Sequence, residues 1–257
     1  LISIVSTIRT EAVALGSKAA AGRRKGRKLQ MKKILILAPA AACGLLAVMA
    51  VSPAGAQAPP ATPHPLGFFV TSTTPTGSGA LGGLAGADKI CQDLATAVGA
   101  GARHWHAYLS TTAANGAPGG NARDRIGPGP WYNAKNVLIA ANVDDLHGDV
   151  QRDRNNIQKA NSLTEKAELI LGAGDKPNQH DILTGSDSDG RALPAAMDAN
   201  CANWTSDADT HKAMLGHADR TGGPNISWNS NHMSQGCSAP KLVATGGAGH
   251  LYCFGMD

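Results

Sequence analysis

Four histidines, His180, His211, His217 and His232, fall in the loop-rich half of this 257-residue chain. A zinc site draws on three or four nitrogen, sulfur or oxygen donors at about 2.0–2.1 Å. No His-x-x-x-His or His-Glu-x-x-His string sets two of these histidines on one helical face, so the spacing predicts no bound metal. His104 and His106 flank Trp105 and would share one side of a strand, an arrangement that also suits two exposed histidines beside a core tryptophan. Oxygen donors are closer together. Asn178, Asp181, Asp187 and Asp189 lie in neighbouring loops and are the candidates for a calcium ion, which takes six to eight oxygens. Turn formation is the favoured reading of all four, because Asp and Asn side chains bond their own backbone.

Catalysis finds less support. The chain has no Gly-x-Ser-x-Gly elbow to present a nucleophile. Asp144-Asp145 and the pair Glu165 and Glu168 offer carboxylates, but the second pair decorates the exposed face of a helix expected over residues 163–171. No catalytic residue is assigned, and a hydrolase assembled from distant histidines and carboxylates stays as an alternative. Binding has better candidates. Trp131-Tyr132 follows the rigid string Gly127-Pro128-Gly129-Pro130, and flat rings held by such loops suit sugar faces or partner proteins. With Asn178, Trp228, Asn229 and His232 they form the expected ligand-binding set. The competing reading places Trp131, Trp204 and Trp228 in a small core beneath the loops.

These side chains need a frame. Residues 68–73 read as a first strand, rich in aromatic and β-branched residues, and stop in the turn cluster Pro75-Thr76-Gly77-Ser78-Gly79. Leu84, Ala87, Cys91, Leu94 and Val98 recur at three- and four-residue steps and make a helix over residues 84–98, ended by Gly99 and Gly101. Residues 105–110 alternate as a strand, and residues 250–254 form a closing one. Between them the chain is irregular, with short apolar pieces at 137–140, 167–171 and 182–183. The fold class is therefore α+β, one or two helices on a sheet of short strands with long ordered loops.

Those loops need anchors. Cys91, Cys201, Cys237 and Cys253 are an even set in a chain that looks exported, which argues for two disulfides. None has the close spacing of a zinc knuckle. Three pairings are open by count. The core-facing place of Cys91 and the place of Cys253 in the last strand favour Cys91–Cys253, leaving Cys201–Cys237 to close the loops that carry Trp204 and Trp228.

The cysteine order, with the first on the first helix and the last in the final strand, resembles the C-type lectin-like fold. Local strings resemble its endostatin-like branch: Ala97-Val98-Gly99 before His106-Ala107-Tyr108-Leu109-Ser110, Gly185-Ser186-Asp187-Ser188-Asp189-Gly190-Arg191 before Cys201-Ala202-Asn203-Trp204, and the closing Leu251-Tyr252-Cys253-Phe254. Further strings, Gly82-Gly83-Leu84-Ala85-Gly86-Ala87-Asp88, Arg123-Asp124-Arg125-Ile126-Gly127 and Gly129-Pro130-Trp131-Tyr132-Asn133-Ala134, resemble bacterial secreted proteins of this shape. The resemblance implies a helix packed on a mixed or antiparallel sheet over residues 67–257. A calcium-binding lectin would carry acids where this chain has Lys176-Pro177-Asn178 and Trp228-Asn229-Ser230, so calcium-dependent sugar binding is not implied. The histidines of an endostatin-type zinc site lie near the mature N-terminus, where only His64 is present.

The remaining expectations concern location. Met31-Lys32-Lys33, an uncharged apolar run and Ala56-Gln57-Ala58 are the parts of a secretory signal peptide over residues 31–58. Residues 1–30 then read as upstream, non-structural sequence, and residues 59–66 as a Pro-rich lead. Cys43, after Ala40-Ala41-Ala42, is the alternative of a lipidated start. The whole chain is formally +4, but residues 59–257 hold 14 Lys or Arg against 18 Asp or Glu. That acidic balance argues against a nucleic-acid partner. The expected protein is a monomer, secreted or periplasmic, free of the membrane once cleaved. It binds an extracellular glycan or protein without catalysis, or serves as a structural envelope component.

Overall fold

Side-chain alternation along two strands sorts the core of this protein into two layers. The computed structural model describes residues 63–114, 116–147 and 154–256, so the signal peptide and Cys43 lie outside the described residues. The strands are β1 (Phe68–Val70), β2 (Trp105–Ala107), β3 (Trp131–Tyr132), β4 (Leu138–Ala140), β5 (Asp181–Leu183), β6 (Met214–His217), β7 (His232–Met233) and β8 (Gly247–Gly255). The long helix is α1 (Gly83–Ala97).

β8 is the spine of a six-stranded sheet. It runs antiparallel to β1 and β2 and parallel to β5, and β6 and β7 extend the sheet beyond β5 in antiparallel register. β3 and β4 form a separate two-stranded sheet. Because successive side chains in a strand point to opposite faces, Phe69, Leu251 and Cys253 enter one core layer, while Phe68, Val70, Tyr252 and Phe254 enter the other. Helix α1 covers the first layer with its small buried residues Ala87, Cys91 and Ala95. Residues from the β3–β4 pair and the loops cover the second, among them Trp131, Ile139, Ile157 and Trp228.

Both disulfides form in the expected pairing. Cys91 of α1 joins Cys253 of β8 with their Cα atoms 5.5 Å apart, and Cys201 joins Cys237 at 5.8 Å. All four cysteines are buried in the α1-side layer. Cys201–Trp204 makes a single helical turn of unusual hand, its φ values of 47°, 53°, 56° and 66° all in the left-handed region. Such residues cost energy that the surroundings must offset. The Cys201–Cys237 bridge and the Asn203 amide, which donates to the Thr112 carbonyl at 2.9 Å, are the ties that hold it.

Two expectations are corrected. Residues 163–171 are not a helix: Leu163 bridges Leu169 in antiparallel fashion around Ala167, whose φ is 64°. Glu165 is consequently buried, its carboxylate accepting the Ser72 N–H at 3.1 Å and the Ser72 hydroxyl at 2.5 Å, while Glu168 stays exposed. The tryptophans resolve toward the core: Trp131, Trp204 and Trp228 are all fully buried. The second face of the sheet is covered by loop aromatics together with short helical turns at Ala122–Asp124 and Val143–Leu146 rather than by a long helix.

Candidate metal centre

Three neighbouring strands assemble one polar cluster. Asp181 opens β5 and is the direct register partner of His217 at the end of β6. His232 lies on β7, opposite Leu215 of β6. His180 precedes Asp181 in the chain. Consecutive strand residues ordinarily face opposite sides, but the β5–β8 register shifts between Asp181 and Ile182. A bulge of this kind re-aims side chains.

The Nε2 atoms of His180, His217 and His232 lie 3.3, 3.1 and 3.6 Å from one oxygen, Oδ1 of Asp181. The His180 and His217 rings stack at 4.1 Å, and His232 stands edge-on to His217 at 5.0 Å. Each ring is tied at its other nitrogen. Nδ1 of His180 meets the Asp219 carboxylate at 2.9 Å, Nδ1 of His217 the Thr221 carbonyl at 2.7 Å, and Nδ1 of His232 the Met233 carbonyl at 3.1 Å. These partners only accept, so a neutral ring must carry its hydrogen on Nδ1 and turn the bare lone pair of Nε2 toward Asp181.

That arrangement is repulsive unless a positive charge sits within it. Neither oxygen of Asp181 has a hydrogen-bond partner, nor has Nε2 of His217, and all three atoms are buried. An unpaired buried carboxylate is costly. A proton on a ring or a divalent cation resolves the conflict. In a tetrahedron with bonds of 2.0–2.1 Å the ligand atoms stand about 3.3 Å apart; the donor atoms of His180, Asp181 and His217 all lie within 4.8 Å of one another, while His232 stands outside that set.

Burial pushes the Asp181 carboxyl up, but in the metal-free cluster the rings of His217 and His232, acting as donors, outweigh it and keep the group below the ordinary carboxylate range. Asp219 is likewise pushed up by burial, yet His180 and the N–H groups of Ala173 and Thr221 hold it far below that range. Asp181 in turn raises His232 above the usual histidine value. Two glycines let the backbone close in. A Cβ at Gly246, whose φ is +109°, would stand 2.6 Å from Nδ2 of Asn178 and 3.3 Å from Nε2 of His180. One at Gly223, with φ +72°, would strike Oδ1 of Asn231 and stand 3.0 Å from the His217 ring.

The expected site residues scatter. Asp181 and His232 belong to the cluster, and Asn178 borders it, its Oδ1 accepting the His180 N–H at 3.3 Å. Asp187 and Asp189 do not join them: Asp187 accepts the N–H groups of Asp189 and Arg191 within its own turn, and Asp189 pairs with Arg123 and Arg191. Turn formation is therefore what Asp187 does, while Asp189 serves in ion pairs. Trp131 and Trp228 offer no open face, and the amide of Asn229 is spent on the Tyr108 hydroxyl at 2.9 Å and the Asp187 carbonyl at 3.1 Å. Tyr132 is half-buried with His64 stacked on its ring at 3.9 Å. His211 stands apart, paired with Asp198 at 2.8 Å. Sequence reasoning named His180 and His217 only as members of a histidine-rich half. Their proximity was invisible because it depends on strand register rather than on spacing along the chain.

No protein-family model matches this chain, and no curated protein is significantly similar to it.

Proposed function

We propose that this protein is an exported, non-catalytic domain that binds one divalent transition metal of the zinc class through His180, His217, His232 and Asp181. The observation that carries this reading is the convergence of three Nε2 atoms on one carboxylate oxygen, each ring pinned by an acceptor at Nδ1. Three imidazoles and one carboxylate suit zinc and its neighbours rather than calcium, whose ligands are oxygens. His180, Asp181 and His217 form the closest donor set, and His232 drawn in as the fourth protein ligand would complete a tetrahedron, the mark of a structural rather than a hydrolytic centre. The hydrolase alternative would need an open coordination position and measurable turnover.

Export is supported by the signal-like residues 31–58 together with two disulfides, which persist in oxidising compartments. The endostatin-like, C-type lectin-like assignment is supported by α1 lying on a sheet whose spine is the final strand, with the nested cysteine order. Within that reading the protein recognises an extracellular glycan or protein, with the metal bracing β5, β6 and β7. Burial of the tryptophans moves the recognition surface away from Trp131 and Trp228.

The test is a chelator-competition titration of the purified oxidised protein with Zn(II), read beside calcium. One zinc equivalent should bind, and His180→Ala and His217→Ala should each abolish it. Failure of Zn(II), Co(II), Ni(II) and Cu(II) all to bind stoichiometrically would sink the reading.

A further inference from the structure

We infer that His232 is the exchangeable ligand of this centre, and that an external imidazole takes its place. The inference rests on the metal reading above. The four donors are not equivalent. The side chains of His180, Asp181 and His217 are 7, 1 and 2% exposed, whereas that of His232 is 25% exposed. The buried histidines are tied to residues elsewhere in the chain: His180 to Asp219, itself held by the N–H groups of Ala173 and Thr221, and His217 to Thr221. His232 has only the carbonyl of the adjoining residue, Met233. It also stands farthest from Asp181 Oδ1, at 3.6 Å.

Its strand is equally weakly held. β7 is two residues long and pairs with β6 alone, at the outer edge of the sheet. The geometry is thus a buried triad of His180, Asp181 and His217 with a partly exposed fourth donor between it and solvent. Movement of His232 exposes the one coordination position that outside donors can reach. Exchange there is balanced: one neutral imidazole leaves with its lone pair, another arrives with its own, and the charge of the centre is unchanged. An incoming donor of the same size and chemistry fills the space that His232 leaves, which is why an imidazole is favoured over a carboxylate.

Cobalt(II) distinguishes the outcomes, because its visible absorption reports four-coordinate geometry and its binding can be titrated independently. Wild-type protein, His232→Ala, His232→Gln and His217→Asn would each be titrated with Co(II), then with imidazole or acetate, with thermal melts confirming a fold in each. Both His232 variants should keep one cobalt equivalent at weaker affinity than wild type, and imidazole should restore the wild-type spectrum saturably while acetate does not. His217→Asn should lose cobalt and show no rescue. The exchange proposal is overturned if folded His232 variants lose cobalt as completely as His217→Asn, if they bind as tightly as wild type, or if imidazole leaves their spectra unchanged. Rescue by acetate alone would overturn the choice of imidazole. Wild-type protein that fails to bind any cobalt would remove the metal reading itself, and this inference with it.

Discussion

Asp219 accepts the Nδ1 hydrogen of His180 at 2.9 Å, and that one bond decides which nitrogen of His180 faces Asp181. Without it the ring could present an N–H to the carboxylate and form an ordinary hydrogen bond. With it, the Nε2 lone pair is turned inward, and the cluster acquires the donor set of a metal site.

Asp219→Asn keeps an acceptor but removes the charge that polarises the His180 ring. Metal affinity should fall by roughly tenfold, within the range seen for lost outer-shell partners, and the metal-free protein should melt somewhat lower, because one amide hydrogen now faces a backbone N–H that Asp219 accepted. Unaltered affinity in a chelator competition would deny Asp219 its orienting role.

Trp131 and Trp228 are core residues, so their truncation should be felt in stability. Trp131→Ala or Trp228→Ala should each cost about 3–5 kcal/mol in urea denaturation of the oxidised protein. A variant with wild-type stability would show that the ring is not packed as described.

The Cys91–Cys253 bridge closes most of the domain, with a sequence separation of 162. Replacing both cysteines by serine should remove about 2–4 kcal/mol and leave Cys201–Cys237 intact by peptide mapping under non-reducing conditions. Mixed peptides linking Cys91 to Cys201 or Cys237 in the parent protein would contradict the pairing.

Acid should weaken the fold before its carboxylates titrate. Burial lowers His147 and His250 from an ordinary value of 6.5 to about 4 each. A histidine depressed in the folded state favours the unfolded chain once the pH drops below 6.5, since only the unfolded form readily takes the proton. Stability should therefore fall between about pH 6.5 and 4, by up to about 3 kcal/mol for each ring. His147→Gln, which can still accept the hydrogen of the Tyr108 hydroxyl, should flatten that slope in denaturation curves recorded across the window. An unchanged slope would mean that His147 is already charged in the folded protein.

Local periodicity carried much of the frame. The three- and four-residue recurrence around Cys91 marked a helix over residues 84–98, and α1 occupies Gly83–Ala97 with Cys91 on its buried side. The alternation of Leu251-Tyr252-Cys253-Phe254 marked a strand with Cys253 facing the same layer, so the disulfide pairing was legible from two patterns that each depend only on near neighbours. The same kind of reading failed at residues 163–171. Their apolar spacing suits a helix, but the left-handed Ala167 and the pull of Ser72 on Glu165 belong to distant packing. Composition also could not say whether a tryptophan in a Gly/Pro loop faces water or the sheet beneath it. That depended on one sheet face being covered by loops and short helical turns rather than by a long helix. The metal centre lies furthest beyond the sequence. Three of its donors come from three strands and His180 from the residue before β5, and the pairing of Asp181 with His217 and of Leu215 with His232 sets them around one point. Strand register is a relation between segments, decided by how their faces pack, and no spacing within any one segment encodes it.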